Sequence, residues 1–219
     1  MHGYSQPSEY RFSHDSIELA QRAARVVHAA GTVGLRVLDL CAGCGVVGLE
    51  LLRSLNPEAR QKVASLDFLE VQEIYEPHFF KNSAWMSGLI GDGPKVTWNL
   101  LNYRDLLAAD FANRYDLVIS NPPYFDREQG HLPPSDFKAR CRFFVDSDFA
   151  TMWQSIAHVL KPTGEALILV RDLCDHGVDR AAQLDSLLLR HGEWQVLEPV
   201  RGTQLVQFQK SRKMTPRFE

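Results

Sequence analysis

Strand-like and helix-like stretches alternate along this chain of 219 residues. Short apolar runs of strand length are separated by longer stretches in which apolar residues recur at helical spacing. Helical connections of this kind join parallel strands by right-handed crossovers and cover both faces of the resulting sheet. The pattern therefore predicts an α/β fold, with a mostly parallel twisted sheet and helices on both faces.

The order of the predicted elements follows from the same periodicity. A first helix is expected over 13–30, with Ser13, Asp15 and Ser16 as cap candidates and Gly31 as its stop. Strands are expected at 35–40, 61–69, 95–100, 115–120 and 165–170. Further helices are expected around 46–55, from the second strand to about 85, and over 149–160 and 179–191. The runs 194–197 and 204–209 are expected to close one edge of the sheet as an antiparallel hairpin.

Composition limits the domain organisation and the compartment. With 45% hydrophobic residues, the chain can bury one sizeable core. We expect a single domain over 1–219, with 1–30 as an N-terminal helical extension and 210–219 as a basic tail. A net charge of −3 excludes a global basic field of the kind that drives non-specific nucleic-acid binding. The sequence shows neither a membrane-length apolar run nor a signal-peptide pattern, and its four cysteines lack a framework spacing. These features predict a cytoplasmic protein, expected to be monomeric, with no membrane partner.

A metal site is not expected. Cys41 and Cys44 form a Cys-x-x-Cys pair, but no second cysteine pair or histidine stands nearby. Close-packed thiols in a glycine-rich loop explain this spacing better than metal or redox chemistry does.

The fourth predicted strand ends in Asn121, Pro122, Pro123 and Tyr124. Proline has no backbone donor and restricts the residue before it, so this corner is stiff. It lies at the carboxyl end of a strand, where open α/β sheets bind ligands. The Asn121 Oδ1 atom and the Pro122 carbonyl can accept from a planar NH2 group, while the Tyr124 ring stacks on it. Alternatively, Asn121 is a capping side chain and Tyr124 a packed rim aromatic.

A glycine loop follows the first predicted strand. Gly43, Gly45 and Gly48 form Gly-x-Gly-x-x-Gly between a strand and a helix. This pattern also describes nicotinamide and flavin dinucleotide sites, or a tight turn with no ligand. Asp39, at the end of the strand, is expected to reach a charged amino group of a ligand. No dehydrogenase pattern follows it.

The glycine loop and the Asn-Pro-Pro-Tyr corner together resemble the class I S-adenosylmethionine-dependent methyltransferases that methylate amino groups. The resemblance implies a Rossmann-like fold and S-adenosylmethionine as cofactor. An acidic residue that ends the second strand holds the ribose in that family. This residue is Asp67 or Glu70, and we prefer Glu70 because Glu70-x-Gln72 and Asn82 resemble one subfamily. The implied cofactor-binding residues are Asp39, Ala42, Gly43, Gly45, Glu70, Asn102 and Asn121, with asparagine at 102 where the subfamily usually has aspartate.

That subfamily is the bacterial valine-tRNA adenine N6-methyltransferases, which act in the anticodon loop. The similar segments are Tyr-Arg-Phe-Ser-His-Asp-Ser at 10–16, Ser-Asn-Pro-Pro-Tyr-Phe at 120–125, Leu-Pro-Pro at 132–134 and the basic stretch 138–142. The resemblance implies an RNA partner, tRNA, and adenine N6 as the methyl acceptor. It assigns catalysis to Asn121, Pro122 and Tyr124. The implied substrate contacts are Pro123, Tyr124, Phe125, Lys138, Arg140 and Arg142.

Other acceptors remain open. The same tetrapeptide resembles that of release-factor glutamine, DNA adenine and ribosomal guanine methyltransferases, and a cofactor-binding module without catalysis is a further alternative. The segments 10–16 and 132–134 favour the tRNA group, and the lack of a separate recognition domain argues against a sequence-specific DNA enzyme. Arg11 and Phe12 either line the cofactor pocket or dock the N-terminal segment, and the basic loop either contacts phosphates or is solvated.

Overall fold

A computed structural model describes residues 3–171, 174–175 and 178–212. Its main sheet has seven strands in the order β3-β2-β1-β4-β5-β9-β8. Strands β1 to β5 pair in parallel, whereas β9 runs antiparallel to both β5 and β8. The strands are β1 (Leu35–Leu40), β2 (Val63–Glu70), β3 (Lys95–Leu100), β4 (Tyr115–Ser120), β5 (Leu160–Val170), β8 (Gly192–Val200) and β9 (Thr203–Lys210), with β6 (Cys174–Asp175) and β7 (Val178–Asp179) as a separate short ladder. The predicted parallel sheet with an antiparallel edge hairpin is confirmed.

Helices cover both faces of this sheet, as predicted. Neighbouring residues of one strand belong to different cores: Val37 packs in one apolar cluster and Leu38 in the other. The first cluster includes residues of α1, α2 and α4, and the second those of α6 and α7. The helices are α1 (His14–Ala29), α2 (Val46–Ser54), α3 (Pro57–Gln61), α4 (Glu76–Ile90), α5 (Asp136–Arg142), α6 (Phe149–Val159) and α7 (Arg180–Leu188).

Helix α1 forms part of the main core. Its buried face includes Leu19, Ala20, Ala23 and Val27, which recur at helical spacing. Ser13 stands at the N-cap without a side-chain capping bond, and the chain is already extended at Ala30, one residue before the predicted stop. The predicted tail 210–219 lies outside the described residues from 213 onward.

Several boundaries differ from those predicted. β2 begins at Val63 because the preceding residues form α3, where Pro57 occupies the first turn and the Asn56 side chain caps the Ala59 N–H at 2.7 Å. β5 begins at Leu160, which pairs with Tyr115, five residues before the predicted start, and it includes Pro162 and Gly164. The long connection after β4 contains α5, which is capped by Ser135. α4 continues to Ile90, beyond the predicted end near 85.

None of the helices in the described part of the chain has the length and hydropathy that a membrane span requires. The described residues also contain no group of three or more histidine, cysteine, aspartate or glutamate side chains arranged to hold a metal ion.

Candidate active site

A cavity of about 320 Å³ opens at the carboxyl ends of β1, β2 and β4. The glycine loop, the end of β2 and the corner after β4 form its walls, together with the segment before α1 and the segment 140–147. The predicted site residues that line it are Ala42, Gly43, Glu70, Asn102, Asn121, Pro122, Pro123, Tyr124, Phe125, Arg140 and Arg142. Asp39, Gly45 and Lys138 are not among the lining residues.

Left-handed backbone shapes the glycine loop. Gly43 has φ +54° and Gly45 has φ +82°, which only glycine adopts without strain. A Cβ on Gly45 would also stand 2.7 Å from the Phe79 ring. Gly45 therefore supports the loop from behind, while Gly43 lies at the cavity surface.

Asp39 holds helix α2 against the sheet. Its carboxyl group is fully buried, and its Oδ2 atom accepts the Gly48 N–H at 2.8 Å. Burial raises the pKa of Asp39 far above its usual range, and the bond from Gly48 opposes this only in part. Oδ1 has no hydrogen-bond partner among the described residues. The structure thus places this carboxylate behind the loop.

Glu70 joins the end of β2 to the glycine loop. Its Oε2 atom accepts the Gly43 N–H at 2.8 Å, and its Oε1 atom accepts the Val71 and Gln72 N–H groups at 2.9 Å each. Burial raises the pKa of Glu70, and the three backbone bonds lower it. Asp67 lines a separate cavity, where it accepts the Tyr115 hydroxyl at 2.8 Å. Of the two ribose candidates, Glu70 is the one in the main cavity.

Asn102 and Arg140 both hold the segment that returns after α5. The Asn102 Nδ2 donates to the Asp146 carbonyl at 3.2 Å, and its Oδ1 accepts the Arg104 N–H at 3.0 Å. Arg140 makes a two-point contact with the Asp146 carboxylate, at 2.9 Å from Nε and 2.8 Å from Nη2. The Arg140 guanidinium is therefore engaged within the protein.

The corner after β4 is held by hydrogen bonds on both sides. The Tyr124 hydroxyl donates to Asn121 Oδ1 at 2.6 Å, and Asn121 Nδ2 donates to Ser16 Oγ at 3.0 Å. The Tyr124 and Phe125 N–H groups donate to the Arg142 carbonyl at 3.0 and 3.1 Å. No donor from the described residues reaches the carbonyl of the buried Pro122. Burial raises the pKa of the Tyr124 hydroxyl, so this group remains a donor even in mildly alkaline solution.

Two arginines flank an aromatic ring at the mouth of the cavity. The guanidinium carbons of Arg142 and Arg171 lie 6.0 and 5.6 Å from the centre of the Phe125 ring. Both arginine side chains are exposed, and neither forms an ion pair with a carboxylate in the described part of the chain. No sequence motif points to Arg171, because only the fold brings the end of β5 to Phe125.

Other lining residues come from distant parts of the chain. Arg11 and Phe12 line the cavity, which was one of the two alternatives for them. Lining residues not singled out for the site from the sequence include Gln6, Tyr10, Asp15, Ser16, Tyr75, Cys141 and Thr203.

Comparison with curated proteins reveals distant relatives. The release factor glutamine methyltransferase of Pasteurella multocida (strain Pm70) is 27% identical over 190 residues, which cover 85% of this chain and 55% of the relative. The tRNA1(Val) (adenine(37)-N6)-methyltransferase of Shewanella loihica (strain ATCC BAA-1088 / PV-4) is 26% identical over 134 residues, or 61% of this chain and 51% of the relative. The chain thus spans about half the length of the curated relatives it matches. No protein-family profile matches it.

Solved structures share the fold at low sequence identity. The Thermus thermophilus 16S rRNA N2 G1207 methyltransferase, in complex with AdoMet and guanosine, superposes with a TM-score of 0.61 and 18% identity, covering 93% of this chain and 44% of that one. TrmN from Thermus thermophilus superposes with a TM-score of 0.55 and 21% identity, covering 89% of this chain and 48% of that one. The chain has the Rossmann-like fold of the class I S-adenosylmethionine-dependent methyltransferases.

Proposed function

We propose that this chain is an S-adenosylmethionine-dependent N-methyltransferase that acts on an exocyclic amine, with adenine N6 of tRNA as the favoured acceptor. One observation carries the proposal: the Asn121 Oδ1 atom and the Pro122 carbonyl, which accepts no bond from the described residues, border the same cavity as the glycine loop and Glu70. A planar NH2 group and the methyl donor can therefore meet there.

The residues present fit the cofactor. The cavity of about 320 Å³ falls within the usual range for small-molecule sites. An ionised carboxylate has about four acceptor positions, and backbone N–H groups occupy three of those on Glu70, which leaves one for a ribose hydroxyl. Asn102 Oδ1 retains one lone pair for the adenine amino group. Ala42 and Gly43 would contact the methionine part.

Positioning by the protein is the main catalytic contribution. When bound, S-adenosylmethionine supplies an electrophilic methyl group, which passes to the amine nitrogen and leaves S-adenosylhomocysteine. An exocyclic amine is a weak nucleophile because its lone pair is delocalised into the ring. Asn121 Oδ1 and the Pro122 carbonyl accept its two N–H bonds, which turns the lone pair out of the ring plane. The methylated nitrogen then releases one proton to solvent. Fixed near-attack geometry can supply roughly 7–11 kcal/mol of the barrier.

The cavity mouth favours a nucleic acid as the molecule that carries the amine. Phe125 offers a stacking surface, and the exposed Arg142 and Arg171 beside it can neutralise phosphates. Because the net charge of the chain is −3, such local contacts must replace a global basic field. A base in a loop is the least costly to unstack into such a site.

A glutamine side chain of a protein is the second candidate. The relative with the longer alignment, over 85% of this chain, is a release factor glutamine methyltransferase. A carboxamide presents the same planar NH2 group to Asn121 and Pro122.

Transfer of a labelled methyl group tests these acceptors. The purified chain is incubated with labelled S-adenosylmethionine and, separately, with unmodified tRNA, rRNA, DNA and release factor, followed by nucleoside or peptide analysis. We expect N6-methyladenosine in tRNA, and Asn121→Ala should abolish transfer while keeping cofactor binding. Label in release factor alone would move the assignment to glutamine. If S-adenosylmethionine at saturation did not raise the melting temperature, the methyltransferase proposal would fail.

A further inference from the structure

The orientation of the Asn121 carboxamide decides whether it can bind an amine. With Oδ1 toward the acceptor site, it accepts an N–H of the substrate. With Nδ2 there instead, two donors face each other and the amine is repelled. The two orientations have nearly the same shape, so neighbouring groups must select between them.

The two contacts of this carboxamide have lengths that distinguish its ends. The 2.6 Å contact with the Tyr124 hydroxyl is typical of O–H···O geometry, and the 3.0 Å contact with the Ser16 hydroxyl is typical of N–H···O geometry. A phenol is also the stronger donor of the two hydroxyls. Tyr124 therefore donates to Oδ1, and Ser16 accepts from Nδ2.

Ser16 is fixed by a different part of the fold from the corner that it contacts. It lies 105 residues before Asn121 and only 2% of its surface is exposed. It belongs to the first turn of α1, where its N–H donates to the Ser13 carbonyl at 3.2 Å. The helix beyond it is packed by Leu19, Ala20 and Ala23. The Ser16 Oγ atom is thus held at a fixed position, from which it accepts the Asn121 Nδ2 bond.

We infer that Ser16 is a positioning residue: by accepting from Asn121 Nδ2, it keeps Oδ1 turned toward the methyl-acceptor amine, an inference that rests on the proposed N-methyltransferase function. Tyr124 occupies one lone pair of Oδ1 and leaves the second for the substrate. Without the Ser16 hydroxyl, Nδ2 loses its partner, and the orientation of the carboxamide depends on Tyr124 alone, whose hydroxyl can accept as well as donate. The rate of the chemical step then falls, whereas the affinity for the cofactor is unaffected.

Steady-state kinetics of Ser16 variants test this inference. The acceptor is unmodified tRNA, or release factor if the wild type labels only that. Ser16→Ala is expected to lower kcat about tenfold to a hundredfold, because small misplacement of a reacting group has effects of this size. Its affinity for S-adenosylmethionine should match that of the wild type, and its melting temperature should fall only by the small amount expected for the loss of one hydrogen bond. Ser16→Thr keeps the hydroxyl and should recover most of kcat.

A matched control removes a different buried helical hydroxyl. Ser155 is fully buried in α6 and donates to the Thr151 carbonyl of its own helix at 2.8 Å, so Ser155→Ala should leave kcat unchanged. If Ser16→Ala does not fold, Ser16→Cys replaces the hydroxyl with a weak acceptor of similar volume and should show the same loss. Wild-type kcat in Ser16→Ala or Ser16→Cys, or a loss that follows weaker cofactor affinity, would overturn the inference. Failure of the wild type to label any acceptor would instead refute the proposed function.

Discussion

The Glu70 carboxylate and the Gly43 N–H are joined by a hydrogen bond of 2.8 Å, which ties the end of β2 to the glycine loop after β1. The same carboxylate accepts two further backbone N–H groups, from Val71 and Gln72. One buried side chain thus fixes the shape of two walls of the cavity.

Glu70→Gln should weaken both the loop and cofactor binding. The new NH2 group cannot accept the backbone N–H bonds, and each buried donor left unpaired costs about 1–3 kcal/mol. We expect a lower free energy of unfolding and a weaker affinity for S-adenosylmethionine by calorimetry. Asp67→Asn is the control, since asparagine can still accept the Tyr115 hydroxyl and this residue lines the other cavity. Equal cofactor affinity in Glu70→Gln and the wild type would remove Glu70 from the cofactor site.

Two helical glycines should respond in opposite ways to alanine. A Cβ on Gly48 would lie 2.6 Å from the buried Phe68 ring, whereas one on Gly88 would meet nothing within 4 Å. Gly48→Ala should therefore destabilise the protein by about 1–3 kcal/mol through overpacking. Gly88→Ala should stabilise it by up to about 1 kcal/mol, because alanine favours the helix. Urea unfolding measures both, and a stabilising Gly48→Ala would contradict the close packing of α2 on the sheet.

The fold was predictable because its signals are local and periodic. Strands β3 and β4 begin and end at the predicted residues, since turn signals interrupt the apolar runs at both ends. Helix α5 was missed because its seven residues, Asp136–Arg142, carry too short a pattern to distinguish a helix from a basic loop. β5 begins five residues early because pairing with Tyr115 outweighs the local preferences of Pro162 and Gly164.

Site residues were predictable only where a single segment of the sequence contains the motif that identifies them. The corner 121–124 and Glu70 lie in the cavity because each ends a parallel strand at the same edge of the sheet. The buried position of Asp39 depends on how closely α2 approaches β1. The spacing of residues in the sequence does not indicate this distance. The contact of Ser16 with Asn121 and that of Arg171 with Phe125 join segments far apart in sequence, so only the assembled fold reveals them.

Alanine substitutions at Arg140 and Arg142 should distinguish a residue that stabilises the fold from one that binds the substrate. Arg140→Ala removes a partly buried two-point contact with Asp146 and should lower the free energy of unfolding by about 1–2 kcal/mol. Arg142→Ala should change the free energy of unfolding little, because it keeps the backbone carbonyl that binds the corner and removes only an exposed contact with the Phe125 ring. The same substitution should raise the KM for RNA. It should also reduce the salt dependence of RNA binding by the amount expected for the loss of about one phosphate contact. Arg142→Lys keeps the charge and serves as the control, and unchanged RNA binding by Arg142→Ala would exclude this side chain from the interface.

Asp39 should make the protein less stable as pH rises. Burial raises the pKa of its carboxyl group in the folded state above its ordinary value of 3.8, so the folded protein binds the proton more tightly than the unfolded chain does. The contribution of Asp39 to stability is therefore fully present below pH 3.8 and declines as pH rises toward the folded-state pKa.

Asp39→Asn removes this titration while its side-chain oxygen can still accept the Gly48 N–H. Urea unfolding at constant ionic strength, from pH 4 to pH 8, should show the wild type losing stability relative to Asp39→Asn. A difference in the free energy of unfolding that is constant with pH reflects the substitution itself. The test is therefore whether this difference changes with pH. Parallel curves over this range would mean that Asp39 titrates normally in the folded protein and is not desolvated behind the glycine loop.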